Sequence, residues 1–581
     1  MVRLYRLIGK ALCLLLLTPA AAAAQDTTRT PAQTRAAWES LARAYPDRCR
    51  CWDTGPTDCG LPLQVCALGR PVEPLASRRH PVLLVLNAIH PGEPAGVDAS
   101  IAWADRLLRT RDRLLDSLAL VVVPFYNVDG GLVRGCCSRA SQVGPVEMGF
   151  RGNARNLDLN RDFIKADALN TQTFQRLFQR IDPDLFADTH TTNGADYRYP
   201  MTLIVTQPDK LGDPLAGWLR RQYLPRLYAA MNATDTPMCP YVNTRGATPE
   251  TGLVDFMETP RYSTGYAALF QSVGFVTEAH MLKPYAVRVR ATERLLDRLA
   301  RLGVAQGDSL LALRRQAREA VRQQVSFPLR WQLDTTRWQE IEFRGYAARE
   351  KPSRVSGLPR RYYDRDQPWT APVRYYDRYT ATDRAAKPLA YVIPQAWHEV
   401  IDRLRLSGVK LRYFDMDVSL PVETYYIDHY TAPLEPYEGH YLHDSVRVRK
   451  VDQTVAFRRG DCIVELGTAK DRFIVETLEP HAPDSYFAWN FFDAVLMQKE
   501  WFSDYVFEET AAELLDRDPA LRAALDSARR ADPALAGSAF RQLLFVYYRS
   551  PYYEASHRRY PVYRLRQWVA FPYYEDLRLE D

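Results

Sequence analysis

Three things are scarce in this 581-residue chain, and each scarcity removes a class of protein. No apolar stretch reaches the roughly 20 residues that cross a bilayer as a helix, which excludes a multi-span membrane protein. Net charge is small, 76 basic against 70 acidic side chains for +6. The two signs are interspersed, without the positive excess or basic stripe of a nucleic-acid binder. Only nine cysteines are present, and none of their spacings matches the C-x2-C pairs of structural zinc sites. The chain also lacks G-x-S-x-G and G-x-x-x-x-G-K, so serine-hydrolase and nucleotide-binding readings have no anchor. What is present, 46% hydrophobic and 25% charged residues, is the composition of folded globular protein rather than of disordered or collagen-like chains. The length suits about two to four domains.

The first 24 residues stand apart. Arg3, Arg6 and Lys10 precede the apolar run Ala11–Leu17, and small residues through Ala24 lead to Gln25. This pattern predicts a secretory signal cut after Ala24, hence a secreted or periplasmic protein, since the run is too short for a stable membrane span. Removing three cations and no acid leaves 73 (76 − 3) against 70, a net of +3. Cys13 leaves with the signal, and Cys49, Cys51, Cys59, Cys66, Cys136, Cys137, Cys239 and Cys462 remain. In an exported chain an even number of cysteines permits disulfides. One or two local bridges in the Cys49–Cys66 cluster are expected in preference to a metal knot.

After a cysteine-containing segment over 25–79, residues 80–304 alternate short apolar runs with helical stretches. Strands are predicted at Pro81–Ile89, Leu118–Tyr126, Asp184–Thr189, Thr202–Thr206 and Gly274–Ala279, and helices at Pro94–Leu108, Leu211–Met231 and Ala286–Leu302. Interleaved strands and helices give an α/β domain on a mixed, mainly parallel sheet flanked by helices. Residues 305–389 read as a helix, Ser309–Gln324, followed by a loop-rich linker. Residues 390–581 read as an α+β accessory domain, with strands that include Arg472–Glu479 and helices at Trp489–Phe502, Ala511–Arg529 and Ser538–Tyr547.

The first strand runs into His90-Pro-Gly-Glu93, a turn that brings an imidazole and a carboxylate together past a strand's carboxyl end, where open α/β sheets place ligands. Both are suitable zinc ligands, and a third is offered by His190 at the end of Asp184-Leu-Phe-Ala-Asp-Thr-His190. A His2Glu set of this kind leaves a coordination position open for water. Between them, Arg151-Gly-Asn153-Ala-Arg155-Asn-Leu-Asp158-Leu-Asn160-Arg161-Asp162 gathers guanidinium and amide donors suited to a planar carboxylate. A further strand, Gly274-Phe-Val-Thr-Glu278, delivers a carboxylate fit for general base and then general acid. Taken singly, each motif equally suits an ordinary polar loop or strand end.

In order, H-x-x-E, P-x-x-N-x-D-G at Pro124–Gly130, R-x-N-A-x-x-x-D-L-N-R-D, a strand-end His and a strand-borne Thr-Glu resemble the zinc carboxypeptidase family of metallopeptidases over about residues 80–300. The resemblance implies Zn2+ on His90, Glu93 and His190, with Asp158 orienting the first histidine. It also implies that Asn160 and Arg161 grip the substrate's terminal carboxylate and that Arg151 stabilises the oxyanion, with Arg155 the alternative substrate-binding arginine for that role. Glu278 takes the place of the catalytic glutamate. The expected reaction is removal of a C-terminal residue from a peptide or protein. The family's capping tyrosine has no clear counterpart: the matching position is Phe256, with Tyr262 and Tyr266 nearby. Asp255 and Glu258 are acidic neighbours of unread placement.

Two other functions fit the same residues. One is a zinc amidohydrolase acting on cell-wall peptide or an N-acyl amino acid, and the other is a catalytically inactive binding module. His398-Glu-Val-Ile-Asp402 resembles a zincin helix but has Asp402 where a second His is required. His440-Tyr-Leu-His443 is an accessory metal candidate or a surface loop.

Overall fold

The computed structural model describes residues 27–576, so the predicted signal over residues 1–24 lies outside the described residues. Strands β1 (Cys49–Pro56), β2 (Pro62–Gly69), β3 (Val82–Leu86), β4 (Ala119–Val123), β5 (Leu185–Thr191), β6 (Met201–Val205) and β7 (Met238–Pro240) precede a short β8 (Leu253–Val254) and then β9 (Val273–Ala279). All but β8 form one eight-stranded sheet in the order β1-β2-β4-β3-β5-β9-β6-β7. Its centre, β4-β3-β5-β9, is parallel; β2 and β6 run against β4 and β9, and β1 runs against β2. This is the mixed, helix-flanked α/β sheet expected.

Central strands such as Val82–Leu86 are buried on both faces, which is why they read as unbroken apolar runs. Helices Ala95–Arg109 and Tyr285–Ala305 cover one face, where Val97, Leu107, Leu295 and Leu299 meet Leu83 and Val85. Leu169–Ile181 and Ser263–Leu269 cover the other, through Phe174, Phe178 and Tyr266 against Leu84 and Phe186. That second core continues without a break into the C-terminal region, where Phe270 stacks on Phe473 at 5.3 Å. Among the described residues no helix is long and apolar enough to cross a membrane.

The stretch expected to be loop-rich is instead mostly strand. β10 (Ser326–Leu333) pairs with β13 (Tyr379–Ala386), and β11 (Gln339–Pro352) pairs with β12 (Pro359–Tyr376) in a long ribbon that adds to β8. Most of the ribbon is exposed, so it carries no apolar alternation, and its internal prolines look like breakers. Cation–aromatic and ring contacts such as Lys351 over Tyr362 and Phe343 against Trp369 join the two strands.

β14 (Ala390–Ile393), β15 (Arg412–Phe414), β16 (Val418–Thr431), β17 (Asp444–Phe457), β18 (Cys462–Glu465), β19 (Tyr563–Leu565) and β20 (Tyr573–Glu575) make a seven-stranded antiparallel sheet. Three expectations here are corrected. Arg472–Glu479 is not a strand but lies in the helix Asp471–Leu478, whose every residue is buried, so its apolar run has no readable period. Trp489–Phe502 is not a helix: buried Trp489 and Phe492 lead into one 3-10 turn at Asp493–Leu496. Pro519 splits the helix expected over Ala511–Arg529, with Asp518 capping the second part.

One disulfide, Cys51–Cys66, joins β1 to β2 within the expected cluster, and a second links the adjacent Cys136 and Cys137. Cys49, Cys59, Cys239 and Cys462 are free.

Candidate active site

Past the end of β3 the chain turns through Ala88, at φ 55°, into His90, and Glu93 closes back with its N–H on the His90 carbonyl at 2.8 Å. Asn127, from the P-x-x-N-x-D-G turn, fastens this corner to the next loop. Its side-chain amide donates to Ile89 O at 3.3 Å and Arg151 O at 3.0 Å. The approach is close enough that a Cβ on Gly130 would stand 2.4 Å from the Phe150 carbonyl, so only glycine fits. β5 and β9 are in parallel register with His190 opposite Glu278. The neighbouring strand ends thus set these two side chains beside each other.

His90, Glu93 and His190 offer ligand atoms that all lie within 4.8 Å of one another, and all three residues are buried. Among the described residues this is the one such group of three. Each imidazole is held by an aspartate on its far nitrogen: His90 Nε2 is 2.9 Å from Asp158 Oδ1, and His190 Nε2 is 2.9 Å from Asp188 Oδ2. Both Nδ1 atoms therefore face Glu93, at 3.3 and 3.1 Å. Two oriented imidazoles and a carboxylate are a donor set that zinc favours. Burial alone would push the Glu93 carboxyl up, but His90, Arg139 and His190 hold it well below its ordinary range. Burial pushes Glu278 up to about 7, with His190 opposing and Glu93 adding to the rise. Glu278 Oε2 is buried and has no hydrogen-bond partner among the described residues. That is a vacant acceptor beside the ligand set.

These groups line a cleft of about 500 Å3 that also receives Arg151, Asn160, Arg161, Phe256 and Tyr262. Arg151 Nε donates to Asp158 Oδ2 at 2.9 Å, and its Nη1 lies 3.3 Å from His90 Nδ1. Asn160 accepts from the Ser263 N–H at 3.1 Å, and the Arg161 guanidinium lies 4.5 Å over the Tyr262 ring. Arg155 does not join them: it is exposed and donates to the Asp167 carbonyl at 2.6 Å. Tyr266 is buried in the core, its hydroxyl near Ser407 and Gln179. Asp255 accepts from Tyr375 Oη at 2.7 Å, and Glu258 accepts from the Gln207 N–H at 2.9 Å, so neither acid lines the cleft. His398 is exposed, His440 pairs with Asp167 and Asn490, and His443 faces Asp493.

Sequence reasoning missed Asp188, Arg139 and Tyr241. Asp188 was within reach, since two residues along a strand return to the same face as His190. Arg139 bonds Glu93 Oε1 at 2.6 Å and fills the space over Gly92, where a Cβ would meet its Cδ at 2.7 Å. Nothing local in the sequence marks it or the cleft-lining Tyr241.

Residues 34–199 match the family model described as zinc carboxypeptidase. That region is similar to the zinc carboxypeptidase family. The match includes His90, Glu93, Arg151, Asn160, Arg161 and His190, and ends before Glu278. Carboxypeptidase 2 of Trichophyton equinum is 21% identical over 416 residues, covering 69% of this chain and 72% of that protein. Carboxypeptidase 2 of Trichophyton rubrum is 21% identical over 436 residues, covering 71% and 74%. Among solved structures, a metallo-carboxypeptidase from Pseudomonas aeruginosa is 19% identical, covers 47% of this chain and 68% of its own, and has a TM-score of 0.35. Carboxypeptidase A from Helicoverpa armigera is 14% identical, covers 52% and 82%, and has a TM-score of 0.37.

Proposed function

We propose that this protein is an exported zinc metallocarboxypeptidase that hydrolyses the C-terminal peptide bond of peptides or proteins. The observation that carries the reading is Glu278, buried and with an unpartnered oxygen, beside the His90-Glu93-His190 set in one cleft with Arg161. A zinc ion held by His90, Glu93 and His190 supplies Lewis acidity toward water and the scissile carbonyl. Asn160 and Arg161 bind the terminal carboxylate, which fixes the last peptide bond over Glu278. Glu278 takes a proton from the attacking water as the new C–O bond forms, and Arg151 donates to the oxygen that gains charge. Glu278 then passes that proton to the departing amine nitrogen as the C–N bond breaks. A desolvated carboxyl of raised proton affinity suits both halves of this cycle.

In this reading residues 80–304 are the catalytic domain, 305–389 connect it, and 390–581 are an accessory domain. Export is supported by the arginine-led apolar leader and by the disulfides, and N-terminal sequencing of the mature protein checks it. The activity test is mass spectrometry of paired peptides with free and amidated C-termini, before and after chelation. Single-residue trimming confined to the free acids and lost with the metal is expected. Equal cleavage of amidated peptides would favour the amidohydrolase instead.

A further inference from the structure

The Arg161 side of the cleft, joined to the metal ligands through Asp158, is braced from far along the chain. Arg161 donates through Nη1 to the Asn160 carbonyl at 2.8 Å and through Nε to the Tyr437 hydroxyl at 3.0 Å. Tyr437 lies in the connection between β16 and β17, where Glu438 at φ 52° and Gly439 at φ 82° reverse the chain. Tyr437 and His440 exchange backbone hydrogen bonds of 2.7 and 3.1 Å, closing the turn. Glu438 accepts the Asp158 N–H at 2.8 Å, and His440 Nε2 is 2.7 Å from Asp167 Oδ2. One turn therefore holds both ends of the 158–167 segment and the cation within it. The Tyr437 ring is itself fixed, stacked at 15° on buried Trp489 with centroids 6.2 Å apart.

We propose that Tyr437 and Glu438 are positioning residues for substrate binding: this turn of the accessory region aims Arg161 at the substrate's terminal carboxylate and fixes the loop of Asp158. The inference rests on the carboxypeptidase reading above, and assigns the C-terminal region a share of the binding site. Arginine is long and flexible. Held at Nε by Tyr437 and over the Tyr262 ring, it loses less freedom when the carboxylate arrives. Such an interaction serves ground state and transition state alike, so its loss belongs in KM rather than kcat.

The test is steady-state kinetics of full-length, zinc-loaded Tyr437→Phe on a peptide with a free C-terminus. The ring stays on Trp489 and only the oxygen is removed. We expect KM to rise roughly 5- to 20-fold with kcat within about twofold, and with melting temperature and zinc content unchanged. Glu438→Ala should raise KM in the same way, while Glu438→Gln, which keeps an acceptor for the Asp158 N–H, should stay near wild type. A folded Tyr437→Phe enzyme with wild-type KM, and an undiminished preference for free over amidated peptide, overturns this inference alone. A parallel loss of kcat and melting temperature would overturn it too, by showing a merely structural turn. If the wild-type enzyme trims amidated peptide as well as free acid, the carboxypeptidase reading falls and takes the inference with it.

Discussion

The two walls of the cleft are built in opposite ways. On the metal side, His190 and Glu278 come from adjacent strands in fixed register, and His90 and Glu93 from the corner that ends a third strand. His190 and Glu278 are placed by backbone ladders in a doubly covered sheet, and His90 and Glu93 by the closed corner that follows its third strand. On the Arg161 side, that residue sits in a 3-10 turn, and its Nε donates to Tyr437, 276 residues later. The first wall is rigid by construction, while the second is rigid only because a second sheet is docked against it. In the proposed mechanism, the chemistry that tolerates no misplacement falls to the first. The same proposal gives recognition, where a lost contact costs affinity and not turnover, to the second.

The largest effect expected from this contrast is on the rigid wall. Glu278→Gln removes the proton acceptor but keeps shape, so kcat should fall roughly 10^3-fold or more, with zinc stoichiometry and KM nearly unchanged. A variant retaining a tenth of wild-type kcat would remove Glu278 from the role of base. The same residue sets the acid limb of kcat/KM. Activity should rise with pH as the carboxyl loses its proton, and the limb should fall at or below its metal-free value of about 7, because a bound cation favours the charged form. One step smaller is Asp188→Asn. Asp188 orients His190 through Nε2, and loss of such a support weakens metal binding by about 10- to 100-fold. Chelator competition measures this directly. Unchanged zinc affinity would mean that strand register alone orients the ring.

The contrast also explains what was legible beforehand. His90, Glu93, His190 and Glu278 could be read because an apolar run followed at once by a ligand residue marks a strand end, and strand ends of such sheets converge. Asn160 and Arg161 could be read because their motif is contiguous. Arg155, the alternative to Arg151 in that motif, lies outside the cleft, and nothing in a short polar loop states which arginine turns inward. The metal-side sheet was visible because buried strands carry unbroken apolar runs. The ribbon of β11 and β12 was not, because an exposed strand has no buried face to impose a period, and its prolines imitate loop. Tyr437 and Glu438 had no signal at all, and His440 read only as an accessory metal candidate or a surface loop. Their partners are hundreds of residues away, and a tyrosine in a turn looks like any other.

The smallest effect expected is on the docked wall, and it is a matter of pH. His440 lies between Asp167 and Asn490, with Lys165 near the same carboxylate and Trp489 and Phe491 against the ring. Burial pulls its affinity for a proton down, but the hydrogen bond and charge of Asp167 outweigh this, so its pKa is raised above the ordinary 6.5. A histidine whose folded pKa is raised contributes stability fully below its unfolded pKa, and loses that contribution as pH climbs through the folded one. Wild type should therefore exceed His440→Gln in melting temperature most clearly near pH 6, with the gap narrowing toward pH 9. For a partly exposed pair the contribution is about 1 kcal/mol or less, so the shift should be on the order of a degree or two. Asp167 anchors the segment that carries Arg161, so KM for free-acid peptides should drift upward over the same interval in wild type and remain flat in the variant. A gap that widens with rising pH would mean that the neutral imidazole is the bound form. The brace would then be an ordinary hydrogen bond, indifferent to the charge of Asp167.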